Sequence, residues 1–292
     1  MVRLEKIDWV ILDVDGVLLG EKEGFNYPHP HNKVIEALAK VRKSGVQVTL
    51  CTGKPIYSLE KIVRGAGLSG PHIADNGGII VDLLARRAIS KTPIDLLLAR
   101  GIVSAAIENN TYVEAHDGAD YFIQAGAFDA AFVKKREAIM HKEPVIVDSI
   151  IDVVKKTELT KIIAFAKDDS DKPRVEGILE PFLGGVSFKW NYVPVTNPVR
   201  YGIVTAKGIS KGSAVEKVSK VTGKTLDNAL GIGDGVMDWD FISKCGHGCA
   251  MGNAVPSLKE LVKSKGDGRY MIAPHVDDHG VIDAFRHFGI LK

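Results

Sequence analysis

The sequence predicts an α/β chain built on a doubly wound parallel sheet, with an α+β domain inserted into it. Three observations predict this. The run Trp9–Leu12 is continuously apolar and stops at two acids, Asp13 and Asp15, followed by Gly16. An apolar strand of this kind fits burial on both faces, which is the setting of a parallel sheet. Strand and helix patterns alternate up to Gly78 and again from Lys211, as parallel strands joined by helical crossovers do. Between about Val81 and Thr205 strands come in adjacent pairs, which suits an antiparallel sheet with helices on one face.

Taken in order, residues 21–32 read as a polar, proline-punctuated loop. His29 and His31 flank Pro30 there without a third ligand nearby, so a solvated loop is the better account of them. Residues 33–43 place Val34, Ala37, Leu38 and Val41 at helical spacing and end at Ser44-Gly45, a helix C-terminus. Residues 46–51 form the second strand, stopping at Thr52-Gly53-Lys54-Pro55; a helix over 56–64 and a short strand over 73–75 follow. In the insertion, 93–108 is helical, and 112–116 pairs with 121–125 around Asp117-Gly118, a hairpin signal. Helices over 129–141 and 174–183 and strands over 161–166, 186–192 and 199–205 complete it. The first pattern resumes with an amphipathic helix over 211–222 and a strand over 229–233. A helix from Trp239, strands over 248–251 and 270–273, and helices over 257–263 and 281–288 close the chain. The expected division is a Rossmann-like core of residues 1–82 and 206–292, with the inserted domain at 83–205.

Composition narrows the function classes. The chain has 292 residues, 45% hydrophobic and 25% charged, an ordinary globular balance with length for about two domains. Its 38 basic and 36 acidic residues leave a formal charge of +2, which favours neither a nucleic-acid nor a membrane-surface partner. Arg3, Glu5, Lys6 and Asp8 precede the first strand without the apolar core of a signal peptide. No segment reaches the roughly 20 apolar residues of a membrane span. Together with three cysteines, Cys51, Cys245 and Cys249, this predicts a cytoplasmic, disulfide-free protein. Cys245, His247 and Cys249 lack a fourth ligand for zinc and read as packed residues.

The polar groups at the strand ends are specific in kind. Asp13 and Asp15, the pair Thr52-Gly53, Lys211, and Asp234 with Asp238 lie at or near the ends of predicted strands. In an open parallel sheet such ends converge on one crevice. Several acids, one hydroxyl beside a glycine and one lysine suit a divalent cation together with a phosphate. A phosphate monoester repels an anionic nucleophile, so positive charge must be supplied before a carboxylate can attack phosphorus. Of two acids two residues apart, one can attack while the other protonates the leaving oxygen and later activates water. The Gly53 N–H is expected at a helix N-terminus, where it would donate to phosphate oxygens.

These residues carry a family resemblance. D-V-D-G-V-L-L from Asp13, C-T-G-K-P from Cys51, S-K-G-S-A from Ser210 and G-I-G-D-G-V-M-D from Gly231 resemble, in order and spacing, the four motifs of the haloacid dehalogenase (HAD) superfamily phosphatases. The position of the insertion resembles the type II (C2B) cap of the Cof-like branch, as do D-N-G-G from Asp75, A-M-G-N-A from Ala250 and D-H-G-V from Asp278. The resemblance implies Asp13 as nucleophile, forming an aspartyl-phosphate, and Asp15 as general acid and base. It implies Thr52, Gly53 and Lys211 as phosphate ligands. Mg²⁺ would be held by Asp13, Asp15 through its backbone carbonyl, Asp234 and Asp238. It departs from the family pattern at Met237, where many relatives have Asn, and at Lys54, where many have Arg. The substrate is expected to be a small phosphorylated metabolite, of sugar-phosphate type, with Lys189, Arg200 and Asn253 as candidate contacts to its body. Lys161, Tyr192 and Trp190 are further candidates in the cap, and the chain is expected as a monomer or homodimer. Two other outcomes share the motifs: a phosphotransferase or mutase using the same aspartyl-phosphate, and a sugar-phosphate-binding regulator without turnover, against which the intact Asp13 and Asp15 argue.

Overall fold

A computed structural model describes residues 6–193 and 196–292; Arg3 and Glu5 lie outside them. The chain divides into two compact units, one of residues up to 53, 59–89 and 211–292, the other of residues 54–58 and 90–210.

The first unit begins with β1 (Trp9–Leu12), α1 (Asn32–Lys43), β2 (Gln47–Leu50) and α2 (Glu60–Ala66). Then come β3 (His72–Ala74), β4 (Ile79–Asp82) and β5 (Arg87–Lys91), which reaches the unit boundary. The expected domain boundary after residue 82 therefore falls in the turn between β4 and β5, which form a small sheet with β3 in the order β3-β4-β5.

In the second unit the elements are α3 (Leu96–Glu108), β6 (Val113–His116), β7 (Tyr121–Gln124), α4 (Ala130–Met140), β8 (Val145–Val147) and α5 (Ile150–Val154). They continue with β9 (Lys161–Ala166), α6 (Lys172–Leu179), β10 (Val186–Tyr192) and β11 (Arg200–Ala206). Its sheet runs β10-β11-β9-β6-β7-β8, antiparallel except for the parallel pair β7 and β8. Val113, Ala115, Ile162 and Ala164 face a core shared with α3, α5 and α6. The alternate face is covered too. From α4, Arg136 donates to both oxygens of buried Glu114 at 2.7 and 2.6 Å. Burial would raise the Glu114 carboxyl, but Arg136 and His116 hold it down at about 2. The expectation of helices on one face alone is thus corrected: a buried ion pair seats α4 on the other.

The first unit resumes with α7 (Lys211–Thr222), β12 (Ala229–Gly233), α8 (Trp239–Ile242) and β13 (His247–Ala250). It closes with α9 (Pro256–Lys263), β14 (Tyr270–Ile272) and α10 (Gly280–His287). Its main sheet runs β14-β13-β12-β1-β2, parallel throughout. β1 is an interior strand between β12 and β2, as its apolar run requires. Trp9 and Ile11 pack with residues of α7, α8 and α9, while Val10 and Leu12, pointing to the other face, are equally buried. Each such side chain contributes about 1.5–3 kcal/mol on burial. The chain winds from β1 to β2 on one side and from β12 to β14 on the other, so the direction of winding reverses between β1 and β12. The crevice of an open α/β sheet opens at that reversal, at the carboxyl ends of its strands.

One buried histidine ties β2 to β3. His72 Nδ1 accepts from the Leu50 N–H at 3.2 Å, which leaves Nε2 to donate to Leu68 O at 3.3 Å. Burial lowers this imidazole from 6.5 to about 4. Between those values the unfolded chain takes up a proton that the folded chain refuses, so stability is present above pH 6.5 and is lost as pH falls toward 4. Thermal melts across this window should show wild type losing stability faster than His72→Gln on acidification; parallel losses would contradict the assignment.

Candidate active site

β1 and β12 end side by side, and the residues that follow them build the site. Asp13 continues the pairing, its N–H donating to Ile232 O at 3.0 Å, and only 7% of it is exposed. The chain then turns back sharply: Gly16 takes φ +68° and donates to Leu19 O at 2.8 Å, leaving Asp15 exposed. Glycine is required at position 16 twice over. Its φ lies where side chains are disfavoured, and a Cβ there would overlap the Asp234 carboxylate. Gly16→Ala should displace Asp234 and lower kcat/KM by about 10²-fold, the cost of misplacing a site group by an ångström; steady-state kinetics with a phosphate ester would check it.

Lys211 is the first residue of α7. Its Nζ donates to Asp13 Oδ1 at 2.9 Å and to Asp238 Oδ1 at 2.6 Å. A side chain that sequence reasoning missed seats it: Asp240 Oδ2 accepts the Gly212 N–H at 2.8 Å, fixing the first turn of α7. Asp238 is 2% exposed, and its other oxygen accepts the N–H groups of Asp234 and Gly235 at 3.0 and 2.9 Å. Both Asp238 oxygens thus accept hydrogen bonds from protein donors. Asn253, expected to touch substrate, is also committed internally. Its Nδ2 donates to Gly16 O at 2.8 Å and reaches Asp234 Oδ2 at 3.5 Å, and its Oδ1 accepts the Val276 N–H at 3.0 Å. It pins the Gly16 turn to the loop bearing Asp234.

The electrostatics show an excess of negative charge. Burial and then Asp238 push the Asp13 carboxyl up to about 7 against the pull of Lys211. Burial, Asp238 and Asp13 push Asp234 well above the carboxylate range. Burial alone would lower Lys211, but Asp13 and Asp238 hold it well above its ordinary value. Carboxylate oxygens of Asp13, Asp234 and Asp238 lie within 4.8 Å of one another, and one ammonium serves them. That donor set fits a hard divalent cation, which takes oxygen ligands and would offset the surplus charge.

The loop after β2 is held by backbone hydrogen bonds. The Cys51 N–H donates to Leu12 O at 2.7 Å, the Thr52 N–H donates to Ile73 O at 3.0 Å, and the Thr52 C=O accepts the Asn76 N–H at 3.1 Å. Thr52 is buried at the end of β2. Gly53 is not at a helix N-terminus as expected: a 3₁₀ turn over Ile56–Leu59 intervenes before α2.

The second-unit candidates are differently placed. Arg200 is paired bidentately with Asp169 at 2.9 and 2.5 Å and lies over the Tyr192 ring. Trp190 Nε1 donates to Glu176 at 2.6 Å, Lys161 is buried in β9, and Lys189 is an exposed residue of β10. The polar groups of Arg200 and Trp190 are thus engaged within the unit. Cys245 and Cys249 are free, buried thiols. No helix among the described residues is long and apolar enough to cross a membrane.

Comparison with known proteins places this geometry. The model of the haloacid dehalogenase-like hydrolases matches residues 10–285. The 5-amino-6-(5-phospho-D-ribitylamino)uracil phosphatase YcsE of Bacillus subtilis (strain 168) is 26% identical over 294 residues, 98% of each chain. The pyridoxal phosphate phosphatase YbhA of Escherichia coli (strain K12) is 23% identical over 255 residues, 86% of this chain and 89% of that one. Among solved structures, the phosphatase BT1666 from Bacteroides thetaiotaomicron superposes with a TM-score of 0.78 at 23% identity, over 98% of this chain and 96% of that one.

Proposed function

Since the chain belongs to the haloacid dehalogenase-like hydrolases and is a phosphatase by that membership, we propose that it hydrolyses monoesters of small phosphorylated metabolites, of sugar-phosphate type, with Mg²⁺ and an aspartyl-phosphate intermediate. One observation carries the reading: Asp13 sits at the winding reversal with Lys211 Nζ at 2.9 Å and the Asp234 and Asp238 carboxylates beside it.

In this reading the Asp13 carboxylate attacks phosphorus while Asp15 protonates the leaving ester oxygen. Asp15 then takes a proton from water as the water attacks phosphorus, releasing inorganic phosphate and regenerating Asp13. Exposure of Asp15 suits a group that exchanges protons with solvent. The Thr52 hydroxyl, the Gly53 N–H and Lys211 hold the phosphoryl oxygens. Asp13, the Asp15 carbonyl and Asp234 would hold Mg²⁺, with Asp238 steadying Lys211 behind them. When bound, Mg²⁺ supplies positive charge that neutralises the phosphoryl oxygens. The named activities of the relatives, on a phosphoribityl compound and on pyridoxal phosphate, support a small phosphorylated metabolite as substrate.

The test is phosphate release from a panel of phosphorylated metabolites and an aryl phosphate, with Mg²⁺, with chelator, and after Mg²⁺ is restored. Release that stops with chelator and returns with Mg²⁺ is expected; release indifferent to chelator would contradict the reading.

A further inference from the structure

The turn between β3 and β4 is strained. Asp75, Asn76 and Gly77 take φ values of 48°, 54° and 103° in succession, and two of the three carry side chains. Backbone of this kind persists only where the surroundings hold it in place. The Asn76 N–H donates to Thr52 O at 3.1 Å, the Gly78 N–H to Asp75 O at 3.1 Å, and the Thr52 N–H to Ile73 O at 3.0 Å. The turn is thereby clasped to the loop that follows β2.

The clasp presses one amide against that loop. Asn76 is 5% exposed and its side chain occupies the space that glycine leaves open at position 53. A Cβ on Gly53 would stand 2.9 Å from Asn76 Oδ1 and 3.3 Å from its Nδ2. Asn76 Nδ2 has no hydrogen-bond partner among the described residues. An unsatisfied buried donor is destabilising, and glycine would meet the backbone demand of this position at less cost. The turn therefore holds a donor, at the carboxyl end of the sheet and beside Thr52 and Gly53, that the fold itself does not use.

We propose that the Asn76 amide is a phosphate ligand, with Nδ2–H donating to an oxygen of the substrate's phosphoryl group alongside Thr52 and Gly53. The inference rests on the phosphatase reading above. Its chemistry complements Lys211, whose ammonium is already shared between Asp13 and Asp238. A neutral amide adds a donor without adding a charge for those acids to capture, and a fixed donor in a buried site needs no reorganisation when charge develops on the phosphoryl oxygens.

The test compares wild type with Asn76→Gly, which keeps the φ of +54° accessible, and Asn76→Asp, which keeps shape but replaces the donor by an acceptor. The readouts are competitive inhibition of aryl phosphate hydrolysis by inorganic phosphate, binding of inorganic phosphate by titration calorimetry, and thermal melting. Asn76→Gly should melt at or above the wild-type temperature while inorganic phosphate binds about tenfold more weakly, the loss of one hydrogen bond to a charged group. Asn76→Asp should lose more. Unchanged phosphate affinity in both folded variants would overturn the proposal, as would a lowered melting temperature with phosphate affinity intact. If wild type binds phosphate but releases none from any ester, the phosphatase reading fails, and calorimetry on the variants still decides the role of Asn76.

Discussion

Asp13→Asn should abolish phosphate release while leaving a protein that withstands heat better than wild type above pH 7. An amide cannot attack phosphorus at a useful rate, so kcat should fall by about 10³-fold or more. The gain in stability follows from the buried carboxyl, raised from 3.8 to about 7 by burial and Asp238. In that window the folded chain keeps a proton that the unfolded chain gives up, so wild type loses stability as pH rises from 3.8 through 7. Asparagine carries no such penalty. Melts of both proteins in chelator from pH 4 to 8 should show the advantage of the variant growing with pH and levelling above 7. A variant less stable than wild type at pH 8 would mean that the ion pair with Lys211 outweighs burial.

Lys211→Met should damage both activity and fold. Lys211 is 6% exposed and bridges two acids that are themselves buried. Removing it leaves uncompensated carboxylates facing one another, a loss of about 3–5 kcal/mol for a broken buried pair. The loss should shrink as the solution is acidified and the acids take up protons. Made in the Asp13→Asn background, the same substitution should cost less, because one of the two stranded charges is gone. Denaturant titrations of the four proteins in chelator would measure the difference; equal costs in both backgrounds would show that Asp13 and Lys211 are not coupled.

What was legible in the sequence and what was not divides along physical lines. Trp9–Leu12 could be read because a strand buried on both faces has to be continuously apolar, and Asp13, Thr52 and Asp234 stand out because polar groups interrupt such runs only at their ends. The structure brings Asp13, Lys211, Asp234 and Asp238 together as that logic requires. Short elements escaped. β8 is three residues, exposed over most of its length, with no periodicity to detect, and the β4–β5 hairpin looked like the start of the insertion. Pairings distant in sequence escaped as well. Nothing in the local pattern couples Arg200 to Asp169 or Glu114 to Arg136, so Arg200 read as available and the helices of the insertion as lying on one face alone. Asn253 and Asn76 were marked by the motifs around them, but only coordinates show that one is fully engaged and that the other keeps a buried donor unused.

The central claim is that the Asp13 carboxylate takes the phosphoryl group. Rapid acid quench during turnover, borohydride reduction and mass spectrometry of the peptides would test it directly, since an acyl phosphate is reduced to an alcohol where a free carboxylate is not. Reduction at Asp13, absent from Asp13→Asn, is the expected result. Reduction at another residue, or none at Asp13 while phosphate is being released, would contradict it.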